Sequence, residues 1–407
     1  MFQTVVFPIS KNLYLFLLAV ILCGGIFLRF SPTASFKGRG FDEVVYAEYV
    51  SLLDSRSLLD YPAICQQYVE LQNRRDEALL PPTRFLYVYA GHLCRVISHE
   101  SAYLALKHVS ALFTTLTLFL TAIFCCRLAG RAASLGVTAL MSVAMNQIHQ
   151  SQHVMIDGFF TFWTLLALWS LWESLRQPNR LSWLVVYAGA LAALVMTKEN
   201  AFFIFVAICS LLLANRWLKF GTVTRPLVLA TFAGALFGFA LVVLLAGDLS
   251  TFLEMYRLLM AKSILLPYAI MTGDGPWYRY LVDLILVSPL VVLLATGAAF
   301  RLSAEDNKPL LFLFLFFGFT FAGMASVKLG CNLRYTTIWD MPLRLLAFSQ
   351  LGFLAARFGS RRAPLLLLVA TVALCAFELH QYFVFCVDWP AYALVPSDLL
   401  HATRIIK

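Results

Sequence analysis

The sequence predicts an all-α protein that crosses a membrane many times. The chain has 407 residues, 61% of them hydrophobic and only 13% charged, where soluble domains run at roughly 45–50% apolar and about 25% charged. Its mean hydropathy is +0.79. No aqueous core could hide that much apolar surface, so much of the solvent must be lipid. Apolar runs of helical length also recur from end to end between short polar connections.

A spanning helix needs about 20 mostly apolar residues. Eleven stretches answer: 11–30, 104–126, 133–150, 158–175, 181–197, 201–218, 226–246, 281–300, 309–327, 341–356 and 364–385. The first is too long for the apolar core of a signal peptide and ends in no clear cleavage site, so it reads as a retained helix. The run Phe85 to Ile97 is shorter and contains His92 and Arg95. It is expected to be an amphipathic or re-entrant helix.

Orientation follows from charge. The connections 126–131, 176–180, 216–225, 301–308 and 357–362 are basic, and only 301–308 also carries acids. The positive-inside rule places them, with the N-terminus, in the cytoplasm. The alternate connections hold most acids, including Asp42, Glu43, Glu48, Asp157, Glu199, Asp248 and Asp274. They face the periplasmic side of an inner (plasma) membrane. If 85–97 spanned, every later loop would invert against the rule. The expectation is one integral membrane domain over 1–407. It has two long extracytoplasmic loops: 31–103, with juxtamembrane helices, and 247–280. Loops this long are usually functional.

The net charge of +9 reflects this orientation rather than nucleic-acid binding, because no basic cluster has interleaved aromatics. Nine cysteines are scattered, several in apolar runs where they pack as small hydrophobes. Cys65, Cys331 and Cys386 fall in outside loops, where a disulfide is an open alternative. There is no Gly-rich phosphate loop and no CxxC.

Four outside clusters could carry chemistry. Asp42-Glu43 with Tyr46 follows span one. Adjacent carboxylates can divide the roles of general base and ligand, or simply face a helix dipole in its first turn. His149, His153 and Asp157 recur at i, i+4, i+8 and would share one helix face. They suit a metal or a sugar-phosphate, or else interfacial packing with an N-cap. Thr197-Lys198-Glu199 ends span five, where Lys198 either meets a lipid phosphate or snorkels beside Glu199. Lys328, Arg334 and Tyr335 are outside cations and an aromatic, against the general bias. Arginine holds phosphate bidentately, and the other reading is an interface anchor. Arg84, His92, Arg95, Lys107 and His108 put further cations near the short helix, with lipid headgroups as the default contact.

In this order the motifs resemble the GT-C glycosyltransferases. The nearest likeness is to the dolichyl-phosphate-mannose protein mannosyltransferases and the bacterial aminoarabinose transferases of lipid A. The resemblance rests on Asp42-Glu43-x-x-Tyr46, then Pro81-Pro82-Thr83-Arg84-Phe85, a cation near the next span (Lys107), Asp157, Thr197-Lys198 and Arg334-Tyr335. An Arg common before the second-loop Asp in that family is replaced here by the stretch Gln150-Ser151-Gln152-His153.

The resemblance implies a polyprenyl-phosphate sugar donor and a protein, lipid or glycan acceptor, with transfer at an outside site. Asp42 would be the base that takes the acceptor proton, giving inversion. Lys198 and Arg334 would stabilise the phosphate leaving group. Asp157 and Glu43 would orient sugar hydroxyls or a cation, and Tyr46, Arg84, Lys107, His153, Glu199 and Tyr335 would complete the substrate site. Asp42, Asp157 and His153 are the ligands if a divalent cation binds. The alternative is a transporter or lipid flippase of a cell-envelope glycan pathway. It should carry charges near mid-bilayer, and few are evident in the sequence.

Overall fold

The computed structural model describes residues 9–31, 40–54, 58–76, 78–263, 265, 273, 275–305, 307–327, 330–359, 361–388 and 402. Among the described residues all regular structure is helical. The chain is a multi-pass membrane protein. Lys328, Asp274 and part of 271–280 lie outside the described residues.

The first span is α1 (Lys11–Phe30), capped by Ser10, whose hydroxyl accepts from Leu13 N at 3.3 Å. The first outside loop follows. It holds α2 (Phe41–Asp54), α3 (Tyr61–Arg74) and the short α4 (Phe85–Ser98). As expected, α4 is too short to span. It packs on α2, α5 and α8 while Leu93, Val96 and Ile97 stay exposed.

The next helix, α5 (Ala102–Ser142), holds two expected spans in one run. It reverses at Gly130, where φ is +85°, a conformation glycine adopts without a Cβ penalty. Ser134 Oγ then donates to Ala122 O at 2.7 Å. Twelve residues of straight helix would separate them by about 18 Å, so the chain doubles back.

The expected span 133–150 ends early. After Ser142 the chain breaks and restarts as α6 (Met145–Gln152), then as α7 (Ile156–Arg176). Four helices follow: α8 (Leu181–Thr197), α9 (Ala201–Leu218), α10 (Arg225–Ala246) and α11 (Leu249–Ser263). The expected span 281–300 is instead a bent pair, α12 (Arg279–Val287) and α13 (Pro289–Ala299), meeting at 119°. Pro289 has no N–H and its ring clashes with the preceding turn, which breaks the helix there. Then come α14 (Lys308–Ala325), a 3₁₀ segment Leu333–Trp339, α15 (Asp340–Phe358) and α16 (Ala363–Tyr382).

Among the described residues, six helices are long and apolar enough to cross a membrane, or seven counting the bent pair as one span. The expected eleven shrink on this measure for physical reasons. α5 contains two runs, α8 has 17 residues, and α7 and α15 carry buried charges such as Asp157, Glu173 and Arg344.

The basic connections gather at one end of the bundle. Arg131 Nη1 donates to Ile9 O, Thr222 N to Leu175 O and Lys308 Nζ to Lys219 O. Helices α8 and α10 meet along small residues: a Cβ on Gly234 would lie 2.5 Å from Ala188 O, and one on Gly238 2.6 Å from Ala192 O. Such close backbone approach is a common packing device between membrane helices. All nine cysteines are free, so no disulfide joins Cys65, Cys331 and Cys386.

Candidate active site

The other end of the bundle collects the outside clusters. Asp42 and Glu43 fall in the first turn of α2 and Asp157 in that of α7, where carboxylates face the positive end of the helix dipole. Lys198 closes α8 in an extended conformation. Arg334 and Tyr335 lie on the 3₁₀ segment.

These residues converge. Arg334 Nη1 donates to Asp42 Oδ2 at 2.5 Å, and its Nε stands 3.6 Å from Asp157 Oδ2. Lys198 Nζ donates to Asp157 Oδ1 at 2.5 Å. The same ammonium lies 3.8 Å from the Tyr335 ring centroid and the Arg334 guanidinium 5.4 Å from it, a cation–π arrangement. Asp157 Oδ2 and Arg334 Nε are buried without a hydrogen bond. The two pairs differ in access: the side chains of Asp157 and Lys198 are 3% and 1% exposed, those of Asp42 and Arg334 20% and 17%. Burial alone would raise the pKa of Asp42, but Arg334, then Arg84 and Lys198, outweigh it. Asp42 is held below the ordinary carboxylate range and is ionised at neutral pH.

A second group adjoins this one. Arg84 pairs bidentately with Glu199 and donates from Nη1 to the Tyr46 hydroxyl at 2.5 Å. Burial would raise Glu199 too, yet Arg84 and Lys198 keep it low. Burial pushes the Tyr46 phenol up, so it stays neutral.

Glu43 points inward. It is 2% exposed and accepts from Gly40 N at 2.7 Å and Val154 N at 2.8 Å, with His153 Nδ1 at 3.3 Å. The predicted stripe of His149, His153 and Asp157 does not form. The helix stops at Gln152, residues 153–155 are extended, and Asp157 begins a new helix. The contacts of Glu43 with this break override local periodicity. Lys107 is half-buried on α5 and joins none of the ion pairs described.

The three residues named for a cation take other partners: His153 turns to Glu43, and Arg334 stands between Asp42 and Asp157. Among the described residues no group of three or more His, Cys, Asp or Glu is placed to hold a metal.

Two features were missed from sequence. A cavity of about 560 Å³ runs from Lys198 and Glu199 between α8, α9, α10 and α11, walled by Phe202, Phe205, Phe232, Phe239 and Phe252. Its aromatics read as ordinary lipid-facing residues. The second is a buried polar network around Arg344, whose charges sit in otherwise apolar runs.

The fold is that of the GT-C class of membrane proteins. The chain belongs to the dolichyl-phosphate-mannose-protein mannosyltransferase family, which it matches over residues 20–256. That match includes Asp42, Arg84, Asp157 and Lys198 but not Arg334. It does not favour the transporter alternative. No curated protein sequence matches the chain. Similar solved structures include the Archaeoglobus fulgidus oligosaccharyltransferase (TM-score 0.59, 12% identity, 97% of this chain and 56% of that one). Others are ArnT of Cupriavidus metallidurans (0.54, 12%, 97% and 76%) and arabinosyltransferase EmbB of Mycobacterium smegmatis (0.54, 12%, 98% and 41%). The chain thus spans little more than half the length of the archaeal enzyme.

Proposed function

We propose that the protein transfers a sugar from a polyprenyl-phosphate donor to an acceptor hydroxyl on a protein, lipid or glycan. One observation carries this reading: Asp42, an ionised carboxylate that reaches solvent, pairs with Arg334, which also stands against the Asp157 of the Asp157–Lys198 pair, and that Lys198 lines one end of an apolar cavity. The lipid chain would lie along the cavity wall of Phe202, Phe232 and Phe239. Its phosphate would meet Lys198 and the Nε of Arg334, which donates no hydrogen bond. ArnT of the same fold is known bound to undecaprenyl phosphate, and the archaeal oligosaccharyltransferase bound to a dolichol phosphate.

In the reaction the acceptor oxygen attacks the anomeric carbon and gives its proton to Asp42. The bond from that carbon to the phosphate oxygen breaks, and its electron pair leaves with the phosphate. A single displacement inverts the sugar carbon. Lys198 and Arg334 stabilise the charge developing on the leaving phosphate. Asp157 balances Lys198 and faces the sugar. The basic end of the bundle would face the cytoplasm, putting this site outside the inner membrane.

The test uses purified protein in nanodiscs with radiolabelled undecaprenyl-phosphate mannose, glucose and aminoarabinose. Wild type should release undecaprenyl phosphate from one of them in an acceptor-dependent way, and Asp42→Asn should not. Equal turnover by the variant removes Asp42 as the base. Release of no label from any donor overturns the reading.

A further inference from the structure

A second set of charges lies inside the bundle. Arg344 on α15 is 2% exposed. Its Nη1 donates to Asp340 Oδ1 at 2.6 Å and its Nη2 to Glu378 Oε2 of α16 at 2.6 Å. Ser288 Oγ, at the break between α12 and α13, donates to the same Oε2 at 2.9 Å. Arg344 Nε reaches Leu140 O at 3.3 Å. Ionised groups in spanning helices are unfavourable and tend to mark function. A buried ion network is also weak evidence for stability, because desolvation rivals its attraction.

The network leads to Arg334. Asp340 directly follows the 3₁₀ segment Leu333–Trp339. Its Oδ2 accepts from Gln147 Nε2 of α6 at 2.8 Å, and the same amide group donates to Thr337 O at 3.2 Å. Asn146 Nδ2 donates to Thr336 Oγ1 at 2.8 Å. Thr161, one turn beyond Asp157 on α7, has its hydroxyl 2.8 Å from that of Thr337. The segment is 7 residues long, whereas 3₁₀ runs beyond about 3–4 residues are uncommon because their hydrogen bonds are poorly aligned. Its shape therefore depends on these outside grips, which hold its buried side while Arg334 projects toward Asp42.

We propose that Gln147 and the Asp340–Arg344–Glu378 network are positioning residues, which hold the 3₁₀ segment so that Arg334 stands between Asp42 and Asp157. This rests on the site being one for polyprenyl phosphate. None of the four touches substrate; they act through Arg334.

A double-mutant cycle tests this, with undecaprenyl phosphate as the probe and binding measured in nanodiscs. Gln147→Leu should weaken binding about three- to tenfold. Arg334→Gln should weaken it at least as much, and the double variant no further than Arg334→Gln alone. A merely structural Gln147 would shift the thermal midpoint but give losses that add. Additive losses, or unchanged binding by Gln147→Leu, overturn the proposal. Asp340→Asn, which keeps the side-chain shape, takes the place of Gln147→Leu in the same cycle if that variant does not fold. Wild type that fails to bind the probe sinks the reading of the site itself, and this inference with it.

Discussion

Helix α7 carries a carboxylate near each end, and the two are handled in opposite ways. Toward its C-terminus Glu173 is saturated. Arg127 donates to both its oxygens at 2.8 and 2.9 Å, Gln177 Nε2 at 2.5 Å and Trp169 Nε1 at 3.3 Å. Asp157 lies about 24 Å away along the axis and is as deeply buried. Yet its Oδ2 accepts no hydrogen bond, and the Arg334 Nε opposite donates none. A buried polar group left unsatisfied costs about 1–3 kcal/mol. Both ends use the same chemistry, a carboxylate against arginine. The saturated end ties α7 to α5, whereas the unsaturated end leaves polar atoms open where the proposed donor phosphate would sit.

The comparison breaks first at Asp42. Asp42→Asn should lower turnover about 10²–10⁴-fold while undecaprenyl phosphate binding, followed separately, is retained. Lys198→Ala should lower turnover about 10²–10³-fold and weaken binding of the phosphate as well. Intact turnover would make Lys198 a tie like Arg127. Arg334→Gln should move the acid limb of the kcat/KM profile. Burial pushes the pKa of Asp42 up and the neighbouring cations pull it down further. Removing the Arg334 charge leaves burial less opposed, so the limb shifts to higher pH. An unmoved limb would separate Asp42 from the base. The smallest effect is expected at the saturated end. Glu173→Leu should lower stability by about 1–3 kcal/mol in thermal unfolding and leave turnover unchanged. A parallel fall in turnover would erase the distinction between the two ends.

Much of the site was legible in the sequence because charged residues in a lipid-solvated chain are rare and their order along the loops is informative. Asp42, Asp157, Lys198 and Arg334 stood out in that way. Their pairings did not, since the partners of Asp157 come from α8 and the 3₁₀ segment, 41 and 177 residues later. The stripe through His149 and His153 misled because no Gly or Pro marks the break at 153–155, which Glu43 fixes from another helix. The bend at Ser288–Pro289 carried a visible signal in its proline. Glu378 and Arg344 were also visible as charges within apolar runs, but only their meeting in space shows them as a network.

The glycine seam between α8 and α10 has a mechanical consequence. Gly234 and Gly238 let α10 press directly on the backbone of Ala188 and Ala192, and a side chain at either position would push the two helices apart. Lys198 sits at the end of α8, and the wall of Phe232, Leu236 and Phe239 belongs to α10. The close seam therefore sets the spacing between the ammonium and that wall, as a fence and stop do in a carpenter's jig. If the lipid chain of the proposed donor lies along that wall, this seam sets its offset from the ammonium.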